Sequence, residues 1–242
     1  MAQRLLLVST ILAFIAGLSI ASFAGFREFL PGLLQGALVT VEITVAGAIL
    51  ALICAVVAAL AKLYGPAPVR WLAVVYIELF RGTSALVQLF WMFFVLPHFG
   101  VTLEPLTVAI VALGLNIGAY GAEVVRGAIV AVPRGQWEAT VALNMSRATA
   151  LRRIILPQAF VAMIPPWGNL LIELLKSTSL VSLITIADLT FRAQQMNQTT
   201  FRTVEIFVIV LLLYLAISMI ITVGMRALEK KAAGTIARGR AH

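Results

Sequence analysis

The 242-residue chain is 62% hydrophobic and only 12% charged, with a mean hydropathy of +1.04. Soluble domains are roughly 45–50% apolar and about 25% charged, so this composition argues against a water-soluble enzyme: one core could not hide that much apolar surface. The formal net charge of +8 does not mark a nucleic-acid binder either, because the cations lie between apolar stretches rather than on one basic face.

Charged residues divide the chain into neutral windows, each long enough to cross the hydrocarbon core at about 1.5 Å of rise per residue. The first window, 5–26, follows Arg4. Residues 1–28 read as a first span or a signal-like segment, since the apolar run 5–18 and the small residues near Ser22 and Ala24 also resemble a cleavable leader. The second window, 43–61, opens after Glu42, a boundary residue on this reading, and contains the lone Cys54 as a small buried hydrophobe. Four more windows follow at 82–103, 105–122, 154–172 and 206–225. Two polar excursions, 133–153 and 188–203, separate them, and a basic tail occupies 227–242. The short apolar stretch 177–189 reads as a re-entrant pair or as the end of a span. No short segments of alternating polarity suggest a barrel. The expected fold class is an all-α integral membrane protein with five to six transmembrane helices, the main transmembrane region being 29–226.

Orientation follows from lysine and arginine. Placing both ends in the cytoplasm leaves Arg27, Arg192 and Arg202 outside and Arg81 and Lys176 at membrane depth, with every other lysine and arginine inside. The reverse orientation would break that bias.

Catalytic chemistry is missing from the sequence. It holds no phosphate-binding G-x-x-x-x-G-K-[ST], no H-E-x-x-H and no C-x-x-C, while His98 and His242 stand apart. We therefore expect no catalytic residue, no metal site and no cofactor. Energised work would need a partner that hydrolyses the nucleotide.

The segment 135–159, GQWEATVALNMSRATALRRIILPQA, reads as two short helices. The first covers 136–143 and sets Trp137, Val141 and Met145 at near-helical spacing. Asn144 suits a left-handed helix end, Ser146 suits an N-cap, and Pro157 is expected to close the second helix by withholding a backbone donor. Physically, such a helix could lie on the membrane interface or offer a knob to a cytoplasmic partner.

The pattern Glu138-Ala139…Asn144…Ile154-Ile155-Leu156-Pro157 resembles the EAA loop of binding-protein-dependent ABC importer permeases. The blocks FRGTSALVQLF (80–90), GAYGAEVVRGAIVAVPRGQ (118–136) and LLIELLKSTSLVSLITIADL (170–189) resemble the polar amino-acid permeases. EATVALNMS and FRAQQMNQTT are further similar to the ectoine and hydroxyectoine permeases. Asn144 stands where the loop usually has glycine, Thr140 where it has alanine, and Ser84 where proline is usual. The resemblance implies a type I importer fold in the bacterial plasma (inner) membrane. It implies two cytoplasmic ATPases, a second permease subunit (the same or homologous) and an extracytoplasmic solute-binding protein. The coupling loop would be 133–157, with Gly135, Gln136, Glu138, Ala139, Asn144 and Pro157 as its ATPase-coupling residues. The solute would be small and polar or zwitterionic, an amino acid or ectoine-like, moved inward by alternating access.

Three spans carry an acid followed three residues later by a base: Glu78 and Arg81, Glu123 and Arg126, Glu173 and Lys176. Such residues share a helix face. The Glu123 pair reads as mutual neutralisation near a span end. The other two read equally as neutralisation or as part of a wet path. Gln88, Asn116, Tyr120 and Asn169 are polar groups in apolar runs, suited to interhelical hydrogen bonds. Glu78, Arg81, Gln88, Asn169, Glu173 and Lys176 together form the candidate substrate path. Pro165, Pro166 and Gly168 should kink or break their span. The external excursion 188–203, with Gln194, Gln195, Asn197 and Gln198, and the region of Arg27 and Glu28 would meet the binding protein. Two other classes compete: a secondary transporter or channel, which would usually show internal repeats where none is evident, and a scaffold whose 136–145 helix recruits a soluble partner.

Overall fold

The structure is a computed structural model and describes the backbone of residues 25–239, with side chains over 28–234. The expected first span falls outside the described residues, apart from Gly25 and Phe26, which open the first helix. In chain order the helices are α1 (Gly25–Tyr64), α2 (Ala67–Gly82), α3 (Ala85–Phe90), α4 (Pro105–Val130), α5 (Arg134–Ala142), α6 (Arg147–Ala150), α7 (Leu156–Ser177), α8 (Leu189–Thr200) and α9 (Thr203–Gly239). A π turn (Trp91–Val95) and a 3-10 turn (Leu96–Phe99) extend α3. A second π turn (Leu151–Ile155) joins α6 to α7, and a 3-10 segment (Thr178–Ile184) extends α7. There is no strand among the described residues.

Among the described residues, four helical stretches are long and apolar enough to cross a membrane: Glu28–Tyr64, Pro105–Val130, Arg147–Ile184 and Thr203–Gly234. The pair Ala67–Gly82 and Ala85–Phe99, bent by 106°, is together long and apolar enough for a fifth, broken span. The neutral windows found these crossings but misplaced several ends. Glu42 is not a boundary residue: it is an exposed position well inside the 40-residue α1. One exposed acid does not interrupt a helix whose flanking residues, 45–61, are apolar on its C-terminal side. The stretch 177–189 is the end of a span, closed by Thr185 in a left-handed conformation (φ 67°). Pro165 and Pro166 do not break α7, which is helical through both.

Helix α4 is the centre of the bundle and is buried along most of its length. Its small residues explain how neighbours come so close. A Cβ at Gly114 would lie 2.9 Å from Leu50 of α1, and one at Gly121 would lie 2.8 Å from the Trp167 ring of α7. With little hydrophobic gain between helices in lipid, such close van der Waals packing is what holds spans together. A second, smaller core lies at the opposite end from α5. There Phe29, Leu33 and Ala37 of α1 pack with Leu189 and Ala193 of α8 and Ile206, Ile209 and Val210 of α9. The excursion 188–203 is thus mostly a docked helix rather than an open loop. It seats on Gly32 and Gly36: a Cβ at Gly36 would lie 2.7 Å from the Asp188 carbonyl oxygen.

Candidate functional site

The loop between α4 and α7 is built from its caps. Leu143 N donates to Ala139 O (3.0 Å), Asn144 N to Val141 O (2.9 Å) and Met145 N to Thr140 O (3.0 Å). With Asn144 at φ 52°, the last two bonds make the paired closure of a Schellman motif, in which the left-handed residue is usually glycine and sometimes asparagine. Ser146 then caps the next helix, its Oγ accepting from Thr149 N (3.3 Å). The reversal is therefore fixed by its own residues.

Helix α5 has two unlike faces. Thr140 is buried, its hydroxyl donating to Trp137 O (2.7 Å), and Trp137 packs against the main core. On the outside lie Gly135, Glu138, Ala139 and Ala142, with Val141 76% and Leu143 73% exposed. The expected shared face of Trp137 and Val141 is thus divided: the indole belongs to this chain's core and the valine to the surface. Gly135, Glu138 and Ala139 form the open ridge with the turn at Asn144 beside it. Gln136 is half-buried and faces α7, its Oε1 accepting from Gln158 Nε2 (3.2 Å).

Pro157 does not close the helix. The chain runs from α6 through the π turn into α7 with the proline at the second position of α7. A proline there withholds one backbone donor and crowds the carbonyl four residues earlier; the wider π turn directly before it accommodates both effects.

The break between α2 and α3 has side-chain donors at the carbonyls of Leu79, Phe80 and Arg81. Helix ends leave carbonyls without intrahelical donors. Here Thr83 Oγ1 donates to Leu79 O (2.8 Å), Gln88 and Asn116 amides donate to Phe80 O (2.9 and 3.0 Å), and Tyr120 Oη donates to Arg81 O (3.4 Å). Asn116 also donates to Gln88 Oε1 (3.1 Å). Gln88, Asn116 and Tyr120 therefore hold a broken span at membrane depth, where irregular backbone is tolerated only against protein or water. The Arg81 guanidinium lies 5.5 Å from the centre of the Tyr120 ring.

The acid–base pairs part company. Glu123 accepts from Lys62 of α1 (2.7 Å) and from Arg126 (2.8 Å), joining α1 to α4 near the α5 end. Glu78 and Arg81 form no ion pair with each other, and neither do Glu173 and Lys176. All four are exposed in the single protomer. Asn169, Glu173 and Lys176 lie at helical spacing along one exposed face of α7, whereas Gln88 is buried in the α2–α3 break.

Two clusters escaped the sequence reading. At the far end, Arg202 bridges Glu28 of α1 (3.0 Å) and Glu205, and covers the Phe29 ring at 5.1 Å. Nearby, Asp188 is 0% exposed and caps α8, its Oδ1 accepting from Phe191 N (2.9 Å). Thr40 Oγ1 accepts from Leu189 N (3.2 Å), and the Thr190 and Tyr214 hydroxyls lie 3.1 Å apart. An aspartate opening a polar run is an N-cap signal, but its burial depends on α1 and α9, more than a hundred and about twenty-five residues away in sequence.

Spans joined at small-residue seams, a broken span with side-chain donors at three of its carbonyls and a capped helix–turn–helix at one end define a polytopic membrane subunit. The chain belongs to the family described as "Binding-protein-dependent transport system inner membrane component", whose profile matches residues 47–234. It is 43% identical over 223 residues to the probable amino-acid ABC transporter permease protein y4tF of Sinorhizobium fredii, covering 90% of this chain and 92% of that protein. It is 38% identical to the L-cystine transport system permease protein TcyB of Bacillus subtilis, covering 85% of this chain and 88% of that protein. A chain in the crystal structure of an amino acid ABC transporter with histidines superposes with a TM-score of 0.81 at 32% identity, covering 86% of this chain and 98% of that one. The protein is a membrane-spanning permease subunit of an ABC importer.

Proposed function

We propose that this permease moves a small zwitterionic solute of the amino-acid class inward by alternating access, with α5 as the coupling helix of a cytoplasmic ATPase. The observation that carries this reading is the α5 ridge. Gly135, Glu138, Ala139 and Ala142 leave an open, small-residue surface on a helix held by a Schellman closure on one side and by Trp137 and Gln136 on the other. A short helix held this firmly can pass on a push. Two ATPases and a second permease subunit, identical or homologous, would complete the assembly, with a solute-binding protein on the far side.

On this reading α5 and the C-terminus face the cytoplasm, and the α8 end faces the binding protein. Its polar Gln194, Gln195 and Gln198 are exposed there, beside the Glu28–Arg202 pair. The exposed polar face of α7 and the unpaired Glu78 and Arg81 would turn to the second permease rather than to lipid, since a membrane-depth charge is costly without a partner or water. Glu173 and Lys176 offer both signs to a zwitterion. The relatives y4tF, TcyB and the histidine-bound transporter support an amino acid as the solute. An ectoine-like solute is the related alternative for a ligand screen on the binding protein.

The test is a bulky residue on the ridge. Ala139→Trp should cut solute-stimulated ATP turnover by about fivefold or more, because an overpacked contact loses about 1–3 kcal/mol. Insertion and folded yield should stay unchanged. Normal turnover in that variant would refute the coupling role of α5.

A further inference from the structure

We propose that Gln158 is a positioning residue that ties the coupling helix directly to α7. The inference rests on the reading of α5 as the coupling helix and adds how its displacement leaves α5.

Besides the packing of Trp137 against the main core, two routes lead from α5 to α7. The covalent route passes through the Asn144 turn, the four-residue α6, the π turn Leu151–Ile155 and Pro157. That route is compliant: the turn has a left-handed residue, the π turn has wider hydrogen-bond geometry, and Pro157 supplies no donor to the ladder. The second route is one side chain. Gln158 Nε2 has two hydrogens and uses both, donating back to Ile154 O in the π turn that leads into α7 (2.9 Å) and to Gln136 Oε1 on α5 (3.2 Å). The bond to Ile154 fixes the rotamer; the bond to Gln136 then joins two helices 22 residues apart in sequence. A shift of α5 reaches α7 through this amide without crossing the compliant segment.

The position of Gln158 on α7 gives the tie a consequence. At 3.6 residues per turn, residues 158 and 176 are five full turns apart, and 169 lies within about twenty degrees of the same line. The face gripped by α5 at one end is the face that carries Asn169, Glu173 and Lys176 further along. Helix α7 is unbroken between them, through Pro165 and Pro166. A pull at Gln158 is therefore expressed as a tilt or shift of that polar face.

The experiment uses the assembled importer in lipid nanodiscs. The readout is the ratio of ATP hydrolysis with solute-loaded binding protein to that without it, beside co-purification of the ATPase. Gln158→Leu and Gln136→Leu should each lower the ratio by about fivefold to tenfold, the scale of one hydrogen bond. The double variant should be no worse than either single one, because both remove the same bond. Gln136→Glu with Gln158→Lys, which rebuilds the tie as an ion pair, should recover most of the ratio. If Gln158→Leu does not assemble, Gln158→Met keeps the length, removes both donor and acceptor, and should show the same loss. A normal ratio in the single variants, or losses that multiply in the double one, would overturn the proposal. Ala139→Trp measured alongside separates the two readings. Uncoupling by Ala139→Trp with normal glutamine variants removes only the Gln158 tie; normal coupling in Ala139→Trp removes the coupling role of α5 and the tie with it.

Discussion

Asp188 is a buried carboxylate whose Oδ1 is satisfied by the start of α8 and whose Oδ2 has no hydrogen-bond partner in the protein. Burial pushes its pKa up to about 6, against the pull of the Phe191 and Thr190 backbone amides. The unfolded chain titrates near 3.9. The folded protein therefore holds this proton more tightly, and the resulting stability, at most about 3 kcal/mol, is full below about pH 4 and lost as pH rises through about 6. Asp188→Asn keeps a capping oxygen and removes the charge. Thermal unfolding in detergent should show that variant more stable than the parent at pH 7.5 and equal to it near pH 4, while Asp188→Ala, lacking the cap, should be less stable than Asp188→Asn by about 1 kcal/mol throughout. A parent and Asn variant with parallel pH profiles would show that Asp188 is not a buried titrating group. Some residues could be understood from the sequence alone: Asn144 and Ser146 act through bonds to their own neighbours, so their roles are local. Asp188, Gln158 and Gln88 take their meaning from partners on other helices, and no local pattern reveals those.

At the scale of elements, the same division holds. Neutral windows located the crossings because a run of apolar residues is itself the requirement for crossing. Their ends were misjudged because charges at exposed helix flanks, such as Glu42 in α1, do not stop a helix. The break between α2 and α3 was missed for another reason: Gly82 is its one local mark, no proline follows, and the donors to its carbonyls come from Gln88, Asn116 and Tyr120. Helix α8 depends on a seat of a different kind. Its first residues lie so near α1 that a methyl at Gly36 would meet backbone at 2.7–2.9 Å, which no rotamer change can relieve. Gly36→Ala should lift the start of α8 from α1, lower the unfolding temperature and expose the amides of 189–193 to hydrogen exchange, while Gly127→Ala, with open space around it inside α4, should neither lower that temperature nor expose those amides. Unchanged exchange in Gly36→Ala would show that α8 is not held by that contact.

For the whole molecule, the single protomer leaves polar groups facing outward at membrane depth: Glu173 and Lys176 on α7, Glu78 and Arg81 beside the α2–α3 break. Exposed charges of that kind fit a subunit whose polar faces meet another subunit. The sequence carries no phosphate-binding G-x-x-x-x-G-K-[ST] motif, and on the proposed function the energy enters from a partner ATPase through α5. Uptake of radiolabelled solute into proteoliposomes measures this most directly, with the permease reconstituted alone, with its ATPase, and with ATPase and solute-binding protein together. Uptake should appear only in the complete mixture with ATP present, and should not respond to an imposed proton or sodium gradient. Gradient-driven uptake by the permease alone would contradict the account and make the chain a secondary transporter.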